Sequence, residues 1–212
     1  ARRRDIQLQI RRNKAMTVAD VRAVTGLTRP GGNHGCKPVE VVPGLWTAAF
    51  PDISTAEQLT AISPNIKTVV NAAAEKCNAS YAEGVRVVKI DDFLDSPDSI
   101  KAVDSMPEGP EKEAAKAALP PMSAAERSGD ASKHFDAVVA AIKETRDNGG
   151  ATLVHCQASV SRAVVFLIAF VMADQKLSAA EATKVVKAKW DATWPNDDFV
   201  AQLVEYEKKC LD

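Results

Sequence analysis

The sequence predicts an α/β layer fold, in which helices cover a β-sheet. From Val39 onward, short runs rich in β-branched residues alternate with stretches of helical periodicity. The chain has 212 residues, of which 46% are apolar, and this is enough to build a real core. These observations predict one domain with an extension.

The first predicted helix begins at a capping box, Ser54-Thr55-Ala56-Glu57, and ends near Ile62, just before a proline. A β-branched strand follows at residues 66–70, and a second strand is predicted at 85–90.

An amphipathic helix is predicted over residues 132–148, because its apolar residues recur at helical spacing: Phe135, Val138, Val139 and Ile142. Gly149-Gly150 closes this helix, and the chain then enters a strand that ends at Val154. Residues 164–172 are apolar all round, which predicts a helix buried in the centre. Two further helices begin at polar caps: Ser178, which pairs with Glu181, and Asn196.

A cysteine and an arginine lie six residues apart between the strand at Val154 and the central helix. The segment reads His155-Cys156-Gln157-Ala158-Ser159-Val160-Ser161-Arg162. A loop that leaves a strand and enters a helix points backbone N–H groups inward, with the positive helix end behind them. Such a loop binds an anion and stabilises the reactive thiolate of Cys156. Arg162 supplies a planar fork that can hold two phosphoryl oxygens.

This segment resembles the signature of the cysteine-dependent protein tyrosine phosphatase superfamily, above all its dual-specificity branch. Segments 42–46, 66–71 and 194–203 resemble further parts of that family, and the resemblance covers about residues 39–210. It implies a central mixed sheet flanked by helices. It also implies Cys156 as nucleophile, Arg162 as the residue that binds phosphate and the transition state, and His155 with residues 157–161 as the phosphate-binding loop. No cofactor or metal is implied.

Hydrolysis of a phosphomonoester also needs a proton donor for the leaving oxygen, and a carboxylic acid suits this role. Residues 88–98 leave a strand and enter a loop, which is where the resembled family has its general-acid Asp. Counting from the strand end favours Asp92, with Asp91 next and Asp95 and Asp98 after them. The alternative for each carboxylate is an ordinary role in a turn or cap.

Two positions depart from the resembled family. Ser159 stands where the family commonly has Gly, which relieves the backbone of the loop. Ala163 stands where the family has Ser or Thr, whose hydroxyl can hydrogen-bond the departing thiolate. Both changes allow phosphate binding and slow turnover.

The variable positions of the loop carry no charge, which favours a singly phosphorylated protein side chain: phosphotyrosine, phosphoserine or phosphothreonine. One alternative is a weakly active or inactive pseudophosphatase that binds phosphoproteins. Another is a phosphatase for a lipid, carbohydrate or RNA phosphate. No nucleic-acid partner is expected.

Charge divides the chain at about residue 37. Residues 1–37 hold nine basic against two acidic residues, whereas the rest holds 18 basic against 26 acidic. We predict a basic N-terminal extension over 1–37 and a catalytic domain over 38–212. The extension either binds an acidic partner or membrane surface, or is a solvated segment that packs its few apolar residues on the domain; the second is favoured.

Residues 101–130 form an insertion rich in Ala, Glu, Lys and Pro, with a short helix expected at 111–119. It is either a lid or a solvated excursion.

The four cysteines include no CxxC pair, which favours a reducing compartment. Cytoplasmic location is expected, with the nucleus also open, and no transmembrane segment is predicted because the apolar run 163–173 is too short. His34 and Cys36 are interpreted as loop residues and not as metal ligands.

Overall fold

The computed structural model describes residues 16–30, 35–81, 83–92, 94–121 and 128–211. Its centre is a five-stranded mixed sheet with the order β1-β2-β5-β3-β4. The strands are β1 (Val39–Val42), β2 (Leu45–Thr47), β3 (Ile66–Asn71), β4 (Arg86–Lys89) and β5 (Ala151–His155). Strand β5 lies in the middle and pairs in parallel with β2 and β3, so its C-terminal end is surrounded by other elements.

Strands β1 and β2 are antiparallel. Pro43-Gly44 connects them, and Gly44 has φ +79°, a left-handed conformation that glycine adopts without steric cost. The segment 42–46, which resembles the entry strand of the family, is therefore the turn of a tight hairpin with its two flanking strand ends.

The helices cover both faces of the sheet: α1 (Val18–Thr25), α2 (Ala56–Ile62), α3 (Asp98–Asp104), α4 (Pro110–Ala118), α5 (Ser132–Asp147), α6 (Arg162–Gln175), α7 (Ala179–Lys189) and α8 (Asp197–Leu211). The capping box of α2 is Thr55 with Gln58, one residue later than predicted. The Ser178–Glu181 box at α7 is confirmed. Asn196 accepts a hydrogen bond from Phe199 N–H at 2.9 Å, as expected of the residue that begins α8.

Helix α6 is the core of the molecule. All residues from Arg162 to Met172 are buried, which confirms the prediction from its continuous apolar run. It is covered by α5, α7, α8 and the sheet, and Phe166 meets Phe135 of α5 edge to face with ring centroids 6.0 Å apart. Complete burial of such a side chain contributes about 1.5–3 kcal/mol. The rigid N-terminus of α6 therefore sits directly behind the end of β5.

A buried lysine anchors the insertion, the segment 101–130, to the start of α8. Lys112 of α4 has a side chain only 1% exposed, and its Nζ donates to Glu108 Oε1 at 2.6 Å and to Asp104 O at 3.1 Å. Asp197 Oδ2, at the start of α8, lies 3.8 Å from the same Nζ. The segment 101–130 is thus tied to the start of α8 by charge, and α4 is the short helix that the sequence predicts at 111–119.

Helix α1 lies within the segment predicted as an extension. Thr17 and Asp20 form its capping box, and Val21 packs against Ala180 of α7 and Val200 of α8. Residues 1–15, with most of the basic charge, and His34 lie outside the described residues. Among the described residues no single helix has both the length and the apolar character of a membrane span; α6 and α7 reach that composition only as a bent pair.

Candidate active site

The segment 156–161 forms the loop between β5 and α6. Donors from other elements hold three of its carbonyl groups outward: Gln157 O accepts from Phe50 N–H at 2.9 Å, Ser159 O from Trp190 Nε1–H at 2.6 Å, and Val160 O from Trp194 N–H at 2.9 Å. In a planar trans peptide the next N–H points opposite to the carbonyl. Each outward carbonyl therefore turns the following N–H toward the inside of the loop, an arrangement of donors that can bind an anion.

Ser159 is the residue at which the loop turns. Its φ is +52°, in the left-handed region that the resembled family fills with Gly. Its hydroxyl donates to Ala48 O at 2.6 Å and accepts from Cys156 N–H at 3.1 Å. This bridge joins the start of the loop to the segment after β2, so the serine supplies contacts that a glycine lacks.

Arg162 begins α6 and has a side chain 5% exposed. Its Nη1 forms an ion pair with Glu75 Oε1 at 2.5 Å, whereas its Nε is buried without a hydrogen-bond partner among the described residues. Burial lowers the pKa of Arg162, but Cys156 and Glu75 outweigh that effect and raise it. Glu75 thus fixes one side of a charged guanidinium and leaves the Nε edge for an anion.

His155 supports the loop from behind. It is fully buried, its Nε2 lies 2.8 Å from Tyr81 Oη, and its ring stacks on Phe50. Burial lowers the pKa of His155 to about 4, so the ring is neutral at pH 7. We infer that it orients the start of the loop and carries no charge there.

A second buried cysteine, Cys77, lies close enough to Cys156 to feel its charge. Burial, followed by the proximity of Cys156, raises the pKa of the Cys77 thiol to about 11. Cys77 is therefore a thiol at pH 7 and a poor nucleophile.

A cavity of about 440 Å³ opens over the loop. Cys156, Arg162 and most of the loop line it, together with residues from three other segments: Arg29 and Pro30; Lys76; and Leu94, Asp95, Ser96, Pro97 and Lys101. Trp194 completes the lining. The structure thus brings the predicted nucleophile and arginine to one cavity.

Asp95 lines this cavity, and hydrogen bonds occupy its carboxylate. Oδ1 accepts from Ser161 Oγ and from Asn196 Nδ2, both at 2.9 Å, and Oδ2 pairs with Lys101 Nζ at 2.9 Å. The same Ser161 hydroxyl accepts from Asn196 N–H at 3.2 Å. Asp95 therefore joins the insertion, the phosphate loop and the start of α8.

Asp92 lies outside this lining. Its side chain is 53% exposed and pairs with His134 Nε2 at 2.7 Å. Asp91 is also exposed, and Asp98 begins α3.

The sequence alone missed Glu75, Asn196 and Asp95 as partners of the loop, because their contacts with it join residues far apart in the chain. A Glu shortly after a strand that neighbours β5 was the one available signal for Glu75.

Residues 45–209 match the family described as dual specificity phosphatase, catalytic domain. Dual specificity protein phosphatase 5 of Rattus norvegicus is 35% identical over 82 residues, which are 39% of this chain and 21% of that protein. A Dictyostelium discoideum protein named MAP kinase phosphatase with leucine-rich repeats protein 3 is 25% identical over 172 residues, 81% of this chain and 16% of that protein. The chain thus spans only part of the length of these relatives.

Solved structures agree in fold. The human tyrosine phosphatase-like serine/threonine/tyrosine-interacting protein superposes with a TM-score of 0.62 at 20% identity, over 83% of this chain and 99% of that one. Human DUSP28 gives a TM-score of 0.59 at 22% identity, over 86% and 98% of the two chains. The mixed sheet flanked by helices is therefore the fold of these proteins. Since the family match covers most of the chain, the protein belongs to the dual specificity phosphatase catalytic domain family.

Proposed function

We propose that the protein hydrolyses phosphorylated tyrosine, serine or threonine side chains of proteins through a cysteinyl-phosphate intermediate. The observation that carries this proposal is the arrangement of Cys156 and Arg162 at one cavity, on a loop whose carbonyls are held outward. The family match supports the same reaction class.

The reaction has two steps. The Cys156 thiolate attacks phosphorus, an S–P bond forms, and the P–O bond to the substrate breaks as the leaving oxygen takes a proton. Water then gives a proton to the carboxylate that the first step left behind and attacks the phosphoryl group, the S–P bond breaks, and inorganic phosphate and the thiolate are released. Arg162 and the loop amides stabilise the phosphoryl oxygens in both transition states.

We propose Asp92 as the proton donor. The carboxylate of Asp95 already accepts hydrogen bonds from Ser161 and Asn196 and pairs with Lys101, so it has a structural role. Asp92 has a largely exposed side chain on the loop after β4. Its contact with His134 has to open for Asp92 to reach a leaving oxygen.

A protein substrate is favoured because the variable loop positions Gln157, Ala158, Ser159 and Val160 carry no charge that would meet additional phosphates. A nucleophilic thiol also has to remain reduced, which supports location in the cytoplasm or nucleus.

Mutation of the nucleophile tests the function directly. Cys156→Ser is expected to abolish hydrolysis of an aryl phosphate and of phosphopeptides while retaining phosphopeptide binding, since the loop and Arg162 persist. Arg162→Lys is expected to weaken both hydrolysis and phosphopeptide binding, because the point charge of a lysine cannot replace the bidentate fork of an arginine. Cys36→Ser is the control and keeps wild-type activity. Phosphopeptide binding without hydrolysis by the wild-type protein would instead identify a pseudophosphatase, and hydrolysis confined to phosphoinositides would redirect the substrate class.

Replacement of the carboxylates tests the acid. Asp92→Asn is expected to lower kcat by about 10²- to 10⁴-fold on phosphopeptides, and much less on an activated aryl phosphate whose leaving group needs little protonation. Asp91→Asn is the matched control. An equal loss on both substrates, or a leaving-group-dependent loss in Asp95→Asn and not in Asp92→Asn, would contradict the assignment.

A further inference from the structure

One wall of the cavity comes from outside the family match. Arg29 and Pro30 line the cavity beside Cys156, yet the matched region begins only at residue 45. This wall therefore lies outside the matched region, and it depends on how α1 is docked.

Contacts in the C-terminal half of α1 fix the position of the wall. Gly26, with φ +60°, ends the helix, and its N–H donates to Arg22 O at 3.1 Å. Arg22 Nε donates to Asp197 Oδ1 at 2.9 Å and its Nη2 to Pro195 O at 2.5 Å. The Arg22 guanidinium also lies over the Trp194 ring, 5.0 Å from its centroid. The four residues after Gly26 therefore begin from an anchored point.

Arg29 uses the same tryptophan as a platform. Its guanidinium carbon lies 5.7 Å from the Trp194 ring centroid, a distance at which a cation is attracted to the face of an indole. The backbone N–H of Trp194 donates to Val160 O in the phosphate loop. Trp194 thus connects Arg29 to the loop. Its ring holds the exposed Arg29 guanidinium at the rim of the cavity.

The cavity is lined by four basic side chains, Arg29, Lys76, Lys101 and Arg162, and by one carboxylate, Asp95. Glu75, which is not part of the lining, pairs with Arg162. The lining is positive as a whole, and such a surface attracts a negative group on the substrate in addition to its phosphate.

A second cavity of about 570 Å³ lies between α1 and the insertion and shares Arg29 and Trp194 with the first. A peptide that leaves the phosphate pocket in this direction has to pass Arg29. Because Arg29 and Cys156 line the same cavity and an extended chain advances about 3.3 Å per residue, we infer that the side chain next to Arg29 belongs to a residue close to the phosphorylated one.

We propose that Arg29 is a specificity-determining residue that favours substrates with an acidic side chain close to the phosphorylated residue. This proposal rests on the proposed function and names the substrate class of the same site.

Paired phosphotyrosyl peptides test the proposal on the full chain. In each pair a single Glu, placed at one of the positions flanking phosphotyrosine, is replaced by Gln. The ratio of kcat/KM within a pair is measured for the wild-type protein and for Arg29→Ala, Arg29→Lys and Arg29→Glu. The ratio of Kd within a pair is measured with each substitution in the Cys156→Ser background, where no turnover is needed. Arg86→Glu, an exposed arginine that pairs with Glu144, is the control.

The wild-type protein is expected to prefer the Glu peptide about fivefold at one position, mainly through KM, which is a typical size for an exposed charge pair. The ratio falls to about 1 in Arg29→Ala, inverts in Arg29→Glu, and is largely retained in Arg29→Lys and in Arg86→Glu. A wild-type ratio near 1 at every position, or an unchanged ratio in Arg29→Glu, would overturn the proposal. If aryl phosphate hydrolysis then still depended on Cys156, only the Arg29 proposal would fail; without such hydrolysis the proposed function fails as well.

Discussion

Ser159 occupies a backbone conformation that Gly adopts more easily, and its hydroxyl offsets that cost. A left-handed conformation costs a non-glycine residue about 1–2 kcal/mol. Against this, the hydroxyl satisfies Ala48 O and Cys156 N–H, two buried groups that it reaches at 2.6 and 3.1 Å. Loss of a partner at each buried group costs about 1–3 kcal/mol. The serine is therefore compatible with an ordered phosphate loop.

Two substitutions at this position separate strain from hydrogen bonding. Ser159→Gly removes both, so we expect the free energy of unfolding to fall by about 1 kcal/mol. Ser159→Ala keeps the strain and loses the hydroxyl, so it is expected to lose about 2–3 kcal/mol. Urea denaturation of the three proteins measures the order. A Ser159→Gly protein more stable than wild type would show that strain outweighs the bridge.

At the scale of secondary-structure elements, the last helix, α8, contacts the insertion through a cluster of charged side chains. Asp104, at the end of α3, is buried and accepts from Asp197 N–H at 3.3 Å. Burial, followed by the nearby Asp197 carboxylate, raises the pKa of Asp104 to about 6. Asp198 adds to this effect, and Arg22 opposes it. An ionised Asp104 therefore weakens the junction between the insertion and α8.

The raised pKa of Asp104 makes the stability of the fold fall as the pH rises. Because the pKa of Asp104 is higher in the folded state, its contribution is fully present below about pH 4 and is lost as the pH rises through about 6. Asp104→Asn cannot ionise, so we expect it to be more stable than wild type by about 1–2 kcal/mol at pH 7.5 and by much less at pH 4. Thermal unfolding at both pH values measures this.

Asp191→Asn is the matched control, since the Asp191 side chain is 93% exposed. Its thermal unfolding at the same two pH values shows how much the removal of an exposed carboxylate changes stability. A stability difference for Asp104→Asn that does not change with pH would contradict the shift.

At the scale of the whole molecule, the sequence predicted what depends on local pattern. The buried run of α6, the amphipathic α5 and the loop between β5 and α6 follow from periodicity and from the spacing of Cys156 and Arg162. These features could be predicted because each repeats a local constraint over several residues.

Features that depend on contacts between distant segments could not be predicted. Helix α1 is stabilised by a few apolar contacts with α7 and α8 and by Arg22 on Trp194, and apart from its capping box its short sequence does not indicate where it packs. The role of Asp95 depends on Ser161 and Asn196, which lie 66 and 101 residues away. Counting from the strand end could not distinguish a carboxylate held in this way from an exposed one such as Asp92.

The proposed mechanism requires Cys156 to carry the phosphoryl group during turnover. Ala163 provides no hydroxyl for the departing thiolate, so breakdown of the intermediate should be slower than its formation, and the intermediate should accumulate. Wild-type protein is mixed rapidly with an activated aryl phosphate, quenched during the first turnover, digested, and analysed by mass spectrometry. We predict one phosphoryl group on the peptide containing Cys156, none on those containing Cys36, Cys77 or Cys210, and none in Cys156→Ser. Steady hydrolysis with an unmodified Cys156 throughout, or with the phosphoryl group on another residue, would contradict the account.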